Sequence, residues 1–216
     1  MKVELIGLTK PSASTGCNTA DELVAYTARV SNPTNQNNNE TAPKLLKYLI
    51  KNEHWSPFEM VSVQMSITTT RDISRQIIRH RSFSFQEYSQ RYAEAPEQIY
   101  TREARLQDPD NRQNSISSDD INQALRFRKL QEKVCIEARQ AYNKALKDGI
   151  AKEQARALLP EGLTETTLIM SGSLRSWIHY CELRMGNGTQ KEHAEIAQMC
   201  WSILSQHFPS VAAAME

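Results

Sequence analysis

Polar and apolar residues alternate with a period of two between Met60 and Thr70. Val61, Val63, Met65 and Ile67 fall on one side, and Ser62, Gln64, Ser66 and Thr68 on the other. That spacing predicts a strand buried on one face. A second, weaker alternation runs over Lys2–Thr9 through Val3 and Leu5, then slips by one before Leu8. Elsewhere the apolar period is that of a helix. Thr19-Ala-Asp-Glu opens one helix, ended near Val30 by Ser31-Asn-Pro33. Thr41-Ala-Pro43 opens another, whose apolar side is Leu45, Leu46, Tyr48, Leu49 and Ile50, and Ser56-Pro57 breaks it. Between them, Asn32–Glu40 is a polar surface loop.

Past the middle, residues 96–117 are polar and irregular and predict a long loop, of the kind that is usually functional or mobile. Ser118-Asp-Asp-Ile121 starts the longest helix, which Gly149 closes. Its apolar stripe is Ile121, Leu125, Leu130, Val134, Ile136, Ala138, Ala141 and Leu146. Arg126, Arg128, Lys129, Glu132, Lys133 and Glu137 form the solvated side. A short helix over Ala151–Leu159 stops at Pro160, and the Thr-rich run Leu163–Met170 reads as a strand. Helices follow over Leu174–Arg184, broken by Gly186-Asn187-Gly188, and over Thr189–His207. No fixed-period repeat occurs. The pattern predicts a single α+β domain over residues 1–216, with a small mixed or antiparallel sheet and a helical bundle.

One stretch stands apart. Arg79–Tyr92 holds three arginines, a histidine, a glutamate and three serines in fourteen positions, with aromatics interleaved. The approach from Thr70 reads as a helix, with Thr70 as N-cap and Asp72 in the first turn. On it Arg71, Arg75 and Arg79 share a face. Like charges at that spacing cost roughly 0.2–0.5 kcal/mol per pair. Either a bound anion offsets the cost, or the arginines are a solvated face with acidic neighbours.

Composition narrows the options. The chain has 216 residues, enough for one sizeable core, and a formal net charge of +1, so no global field recruits nucleic acid or membrane. Of its 26 basic residues 15 are arginine, and seven of these lie between Arg71 and Arg105. Arginine favours bidentate recognition of phosphate or carboxylate. Cys17, Cys135, Cys181 and Cys200 form no CxxC pair, which argues against a disulfide framework or a zinc site and fits a reducing compartment. No signal-peptide core and no apolar run near 18 residues is present, so a soluble cytoplasmic protein is expected.

Several chemistries lack their motifs: there is no GxGxxG, no GxxxxGK[ST], no GxSxG and no HExxH. His54, His80, His179, His193 and His207 show no ligand spacing, so no metal is expected. Cys135, Cys181 and Cys200 lie on or near apolar stripes and read as small buried hydrophobes. What remains is a dispersed set of arginines: Arg79, Arg81, Arg91, Arg156, Arg175 and Arg184. Arg175 and Arg184 lie nine apart on one helix and so face opposite sides.

Arg79-His80-Arg81, seven residues, then Ser89 resembles the signature of the flavin-dependent thymidylate synthases. Flanking blocks resemble that family in its order. They are Ala28-Arg-Val-Ser31, His54-x-Ser-Pro-Phe-Glu59, Gln76, Ala155-Arg156-x-x-Leu-Pro160, and Arg175-Ser176 followed by Glu182-Leu-Arg184. The resemblance covers roughly Ala28 to Phe208. It implies conversion of dUMP to dTMP, with methylenetetrahydrofolate as carbon donor and NADPH as reductant acting through FAD. It also implies a homotetramer with active sites between subunits. Carried over, FAD would be contacted by Ser56, Arg79, His80, Arg81, Glu87, Ser173, Leu174, Arg175 and His179. The nucleotide would be held by Gln76, Arg79, Glu87, Tyr88, Ser89, Gln90, Arg91, Arg156 and Arg184. Arg184 resembles the arginine that polarises uracil at N3, and His54 one that lies against flavin and folate; these two are the expected catalytic residues. The sequence departs from the family at Ser173 and His179, where many members carry Asn, and around Gly186–Gln190.

The chemistry of the residues is compatible. Without a cysteine nucleophile, uracil C6 must be activated by stabilising negative charge on the ring, which a guanidinium at the O2/N3 edge does. The cofactor then carries the reduction. Ser89 has no base beside it in sequence, so a positioning role is favoured over a nucleophilic one. The competing reading is a non-catalytic nucleotide- or RNA-binding module that uses the arginine–aromatic stretch as a stacking platform. The balanced net charge counts against it.

Overall fold

The computed structural model describes residues 1–186 and 188–215. The two alternating runs become neighbouring strands, β1 (Lys2–Leu8) and β2 (Ser62–Thr70), paired antiparallel. The slip in β1 is a bulge: register shifts between Leu5, opposite Met65, and Gly7, opposite Gln64, which leaves Ile6 turned outward. The Thr-rich run forms β6 (Glu165–Ser173), which pairs with β2 along its whole length, from Ser62 opposite Ser173 to Thr70 opposite Glu165. A strand that the hydrophobic pattern does not reveal, β3 (Ser84–Glu87), closes the other edge in the order β1-β2-β6-β3. Facing pairs Met65–Met170 and Ile67–Leu168 are fully buried, whereas Thr68 and Thr167 meet on the outer face through their hydroxyls at 3.0 Å.

Helices cover one face of the sheet. The helix α1 (Ala20–Ala28) starts with a capping box in which Thr19 accepts from the Glu22 amide and Glu22 reaches back. The second, α2 (Ala42–Lys51), ends before a 3₁₀ turn at Ser56–Met60. After the sheet come α6 (Leu174–Met185), capped by Ser173, α7 (Lys191–His207) and a further short helix, α8 (Pro209–Met215). Asp21 of α1 accepts from the Ser210 amide at the start of α8. Val24, Leu46, Phe58, Trp177, Ile178, Ile196, Phe208 and the inward residues of β2 and β6 share one core. The Asn187 position of the expected Gly-Asn-Gly break lies outside the described residues.

Three expectations are corrected. The helix after β2, α3 (Arg71–Ile77), stops before Arg79, so the three arginines share no face. Thr70 does not cap it with its side chain. The Arg71 and Asp72 amides donate instead to Thr164 and Glu161 carbonyls, and the Thr70 hydroxyl donates to Asp72 at 2.5 Å. Second, the expected loop 96–117 contains a hairpin, β4 (Arg105–Gln107) with β5 (Ser115–Ser117). Third, the apolar stripe of the long helix α4 (Ile121–Lys147) is not its buried side. Gln131, Cys135 and Tyr142 are buried, while Ile121, Leu125, Leu130, Val134 and Ile136 are 48–74% exposed. Tyr142 joins Ala95 and Ala155 in a small satellite cluster, not the main core. Polar anchors hold α4: Gln131 accepts from the Arg102 amide at 2.6 Å and donates back to its carbonyl at 3.0 Å.

Candidate active site

The antiparallel sheet brings the end of α3, the turn after it and α6 side by side, and one group of expected residues converges there. Arg184 Nε donates to His80 Nε2 at 2.8 Å. The hydrogen bond requires a neutral imidazole with an open lone pair at Nε2. Burial and then the Arg184 charge lower the His80 pKa to about 4. Among the described residues, Arg184 bonds only through Nε, and its two terminal nitrogens form no hydrogen bond or ion pair, so its planar fork is open to a ligand. Arg79 and Arg81, both exposed, likewise have no side-chain partner among the described residues. Arg71 and Arg75 do: each is paired with a carboxylate at 3.2 Å, Glu161 and Glu87 respectively. Of the three arginines first read together, two are internally neutralised and one is free.

Behind Arg184 lies a polar chain that the sequence does not announce. The His80 ring stands edge-on to Tyr180, with centroids 4.9 Å apart, and 6.3 Å from His193. His193, fully buried on α7, meets the Tyr180 hydroxyl through Nε2 at 3.2 Å and Gln76 Oε1 through Nδ1 at 3.3 Å. Gln76 Nε2 donates to Gln190 Oε1 at 2.7 Å, and Gln190 Nε2 to Glu192 at 2.8 Å. Glu192 faces Arg102 at 3.4 Å, and Arg102 is also held by Asp72 at 2.8 Å. Burial, then the Arg184 and His80 charges, push the His193 pKa down to about 3. The one available signal for His193 was a histidine at a core position of an otherwise apolar helical stripe.

A second group forms around α5 (Lys152–Ala155) and the turn after β3. Arg91 Nε lies 3.4 Å from the Glu153 carboxylate, and Arg156 Nε donates to the Glu153 carbonyl at 3.3 Å, so two guanidiniums converge on one residue. Ser89 caps the turn, its hydroxyl accepting from the Arg91 amide at 3.4 Å. No histidine or carboxylate contacts the Ser89 hydroxyl among the described residues. The Tyr88 hydroxyl donates to the Glu94 carbonyl at 2.6 Å. Gln90 is 2% exposed, and its Nε2 has no partner among the described residues. Glu87, expected at both ligands, instead faces inward. It accepts from Ser74 at 2.8 Å, Thr166 at 3.0 Å and Arg75 at 3.2 Å, fastening β3 to α3 and β6.

The third group lies at the start of α6 and the 3₁₀ turn. Ser173 caps α6, and Ser176 donates to the Ser82 carbonyl at 3.3 Å, tying the Arg-His-Arg turn to this helix. Arg175 pairs with Glu59 on the face opposite Arg184, as their spacing requires. His179 stands edge-on to Trp55 at 4.6 Å, Ser56 is exposed, and His54 lies edge-on to Tyr48 at 6.0 Å. The Leu174 side chain is fully buried and its amide donates to the Val61 carbonyl at 2.8 Å. No hydrogen bond or ion pair joins the Ser89–Arg91/Arg156 group to Gln76, His80 or Arg184 among the described residues.

Burial pushes the thiols of Cys135, Cys181 and Cys200 up, so none is a thiolate near neutrality. Among the described residues no group of three or more His, Cys, Asp or Glu is placed to hold a metal, and no helix is long and apolar enough to cross a membrane. The described residues present an open guanidinium fork at Arg184, a neutral imidazole behind it, and the exposed Arg79 and Arg81.

Comparison with known proteins points the same way. The family described as "Thymidylate synthase complementing protein" matches residues 14–210. A probable flavin-dependent thymidylate synthase of Paramecium bursaria Chlorella virus 1 is 50% identical over 216 residues, 100% of this chain and 99% of that protein. A flavin-dependent thymidylate synthase of Synechocystis is 50% identical over 219 residues, 100% of each. The crystal structure of a UMP/dUMP methylase, PolB from Streptomyces cacaoi bound with 5-Br dUMP, superposes with a TM-score of 0.83 at 27% identity, covering 99% of this chain and 93% of that one.

Proposed function

We infer the function of this protein from its membership: the chain belongs to the flavin-dependent thymidylate synthase family and methylates dUMP to dTMP with FAD as its cofactor. In this reading methylenetetrahydrofolate donates the carbon and NADPH the reducing equivalents. The observation that carries the mechanism is the open fork of Arg184, oriented by a hydrogen bond to neutral His80. Arg184 presents fixed positive charge to the uracil O2/N3 edge and stabilises the negative charge that builds on the ring when C6 is attacked. Burial raises the pKa of the Cys135, Cys181 and Cys200 thiols, which supports an electrostatic route over attack by any of these three.

The residues fit a dinucleotide flavin. Arg79 and Arg81 are cations without side-chain partners among the described residues, suited to a diphosphate, and the Ser82 carbonyl of the same turn accepts from Ser176 near the start of α6. Ser56, His80, Ser173, Arg175 and His179 complete the proposed flavin set, with His54 on the folate side. When bound, the flavin supplies the reduction that no side chain here can perform. The nucleotide is held by Gln76, Arg79, Tyr88, Ser89, Gln90, Arg91 and Arg156 besides Arg184. Ser89 positions it and is not a nucleophile. Glu87 serves both ligands indirectly by fixing β3.

A homotetramer with shared sites accounts for two features. The Arg91/Arg156 group is separate from the Arg184 group in one chain. Leu130 and Val134, with Phe127 and Ala141, form an exposed seam along α4 at a 3-4-7 spacing, as in a helix packed on another helix. The whole chain acts as one catalytic unit, and a cytoplasmic location fits its four unpaired thiols.

Purified protein incubated with FAD should acquire flavin absorbance bands and form dTMP from dUMP, methylenetetrahydrofolate and NADPH. Combined Cys135→Ala, Cys181→Ala and Cys200→Ala should retain turnover. A protein that binds no FAD, or a folded triple variant without activity, would overturn the reading.

A further inference from the structure

The polar chain behind Arg184 has a direction, and the direction is set at its far end. Glu192, as a carboxylate, only accepts, so Gln190 must present its amide nitrogen there at 2.8 Å. That leaves Gln190 Oε1 facing Gln76, which must therefore present its own nitrogen at 2.7 Å. Gln76 Oε1 then faces His193 Nδ1 at 3.3 Å, which must carry the proton, and His193 Nε2 accepts from Tyr180 at 3.2 Å. Reversing any one amide places two oxygens in contact, or an oxygen against the carboxylate. Arg102 pairs with Glu192 at 3.4 Å, and Asp72 together with the Gln131 clamp on its backbone holds Arg102 in place.

We propose that His193, Gln190 and Glu192 are positioning residues that lock the Gln76 amide with its free N–H toward the nucleotide, and so select a base with a carbonyl at that edge. The Gln76 amide has two N–H bonds; Gln190 takes one, and the other has no partner among the described residues. Arg184, three contacts away through His80, its 6.3 Å ring contact with His193, and His193 itself, serves the O2/N3 edge in the proposed function, on which this inference rests. The remaining base carbonyl is O4, which a donor can bind and which cytosine replaces with an amino group. A locked donor accepts uracil and rejects cytosine. An amide free to rotate takes either. The low pKa of His193 keeps it neutral, so the relay stays intact through the physiological range.

The test is calorimetric titration of the FAD-loaded enzyme with dUMP and with dCMP. Two variants are compared with the parent: His193→Phe, which removes the buried donor, and Gln190→Leu, at an exposed position. In both, dUMP affinity should fall and the preference for dUMP over dCMP should shrink about tenfold, the equivalent of one hydrogen bond. A purely structural effect would weaken both ligands alike and leave the ratio unchanged, and that result in folded Gln190→Leu overturns the relay. Failure of the parent enzyme to bind dUMP would instead overturn the proposed function.

Discussion

Replacing His193 by Phe should remove most of the acid sensitivity contributed by one buried imidazole. His193 is inaccessible to solvent, and its pKa is lowered to about 3 against an ordinary value near 6.5. The sign follows from proton counts. Below 6.5 the unfolded chain binds a proton that the folded chain refuses, so stability is lost as pH falls from 6.5 toward 3. Integrated from pH 7.5 to pH 5, one such histidine costs about 2 kcal/mol. His80, lowered to about 4, acts in the same sense, while Asp21, raised chiefly by burial, acts in the opposite sense; both are present in parent and variant and largely cancel. At neutral pH the variant should be less stable by about 1–3 kcal/mol, because the Tyr180 hydroxyl loses its buried partner. Thermal unfolding of the FAD-loaded protein at pH 7.5 and 5 is the assay. The parent should lose about 4–8 °C more than the variant between the two conditions, at roughly 2–4 °C per kcal/mol for a chain of this size. Equal acid losses would mean that His193 takes up its proton while folded, and would refute the reasoning.

Three other outcomes follow from named contacts. Arg184→Ala should lower kcat by roughly 10²–10³, the usual effect of deleting one oriented charge-stabilising donor. FAD absorbance should be retained, and unchanged dTMP formation would remove Arg184 from the mechanism. Leu130→Glu with Val134→Glu should break the α4 seam, so that light scattering reports a smaller assembly with intact helical content; an unchanged mass would place the interface elsewhere. Gly172→Ala would drive a Cβ into the Phe83 ring, which in turn packs on Trp177 at 4.9 Å. The expected loss is about 1–3 kcal/mol by chemical denaturation, and a neutral effect would show that the ring has room to move.

Local rules were sufficient wherever one residue pattern met one environment. The alternation of β2, the Thr19–Glu22 capping box and the Gly149 stop on α4 were all legible because each depends on neighbours within a few positions. Even the slip in β1 recorded its bulge. The Arg-His-Arg motif and its flanking blocks were also legible, since they are defined by residue identity and order. The strand β3 was hidden because Ser-Phe-Gln-Glu is too short and polar to show a period; β6 makes it a strand by offering an unpaired edge.

Side-chain partners separated by many positions could not be read at all. Nothing local says that Arg71 is neutralised by Glu161, that Arg75 is neutralised by Glu87, or that Arg79 and Arg81 have no side-chain partner among the described residues. The stripe on α4 was seen correctly as apolar, yet its burial depends on what packs beside it: Leu146 meets the satellite cluster, while Ile121, Leu125, Leu130, Val134 and Ile136 stay exposed. The sequence by itself determined the elements whose pattern is local, the long helices and the strands β1, β2 and β6, together with the family motif. Tertiary structure alone decided which arginines are paired internally and which way the Gln76 amide points, because both are settled by charges and hydrogen bonds that only the folded sheet and α7 bring within reach.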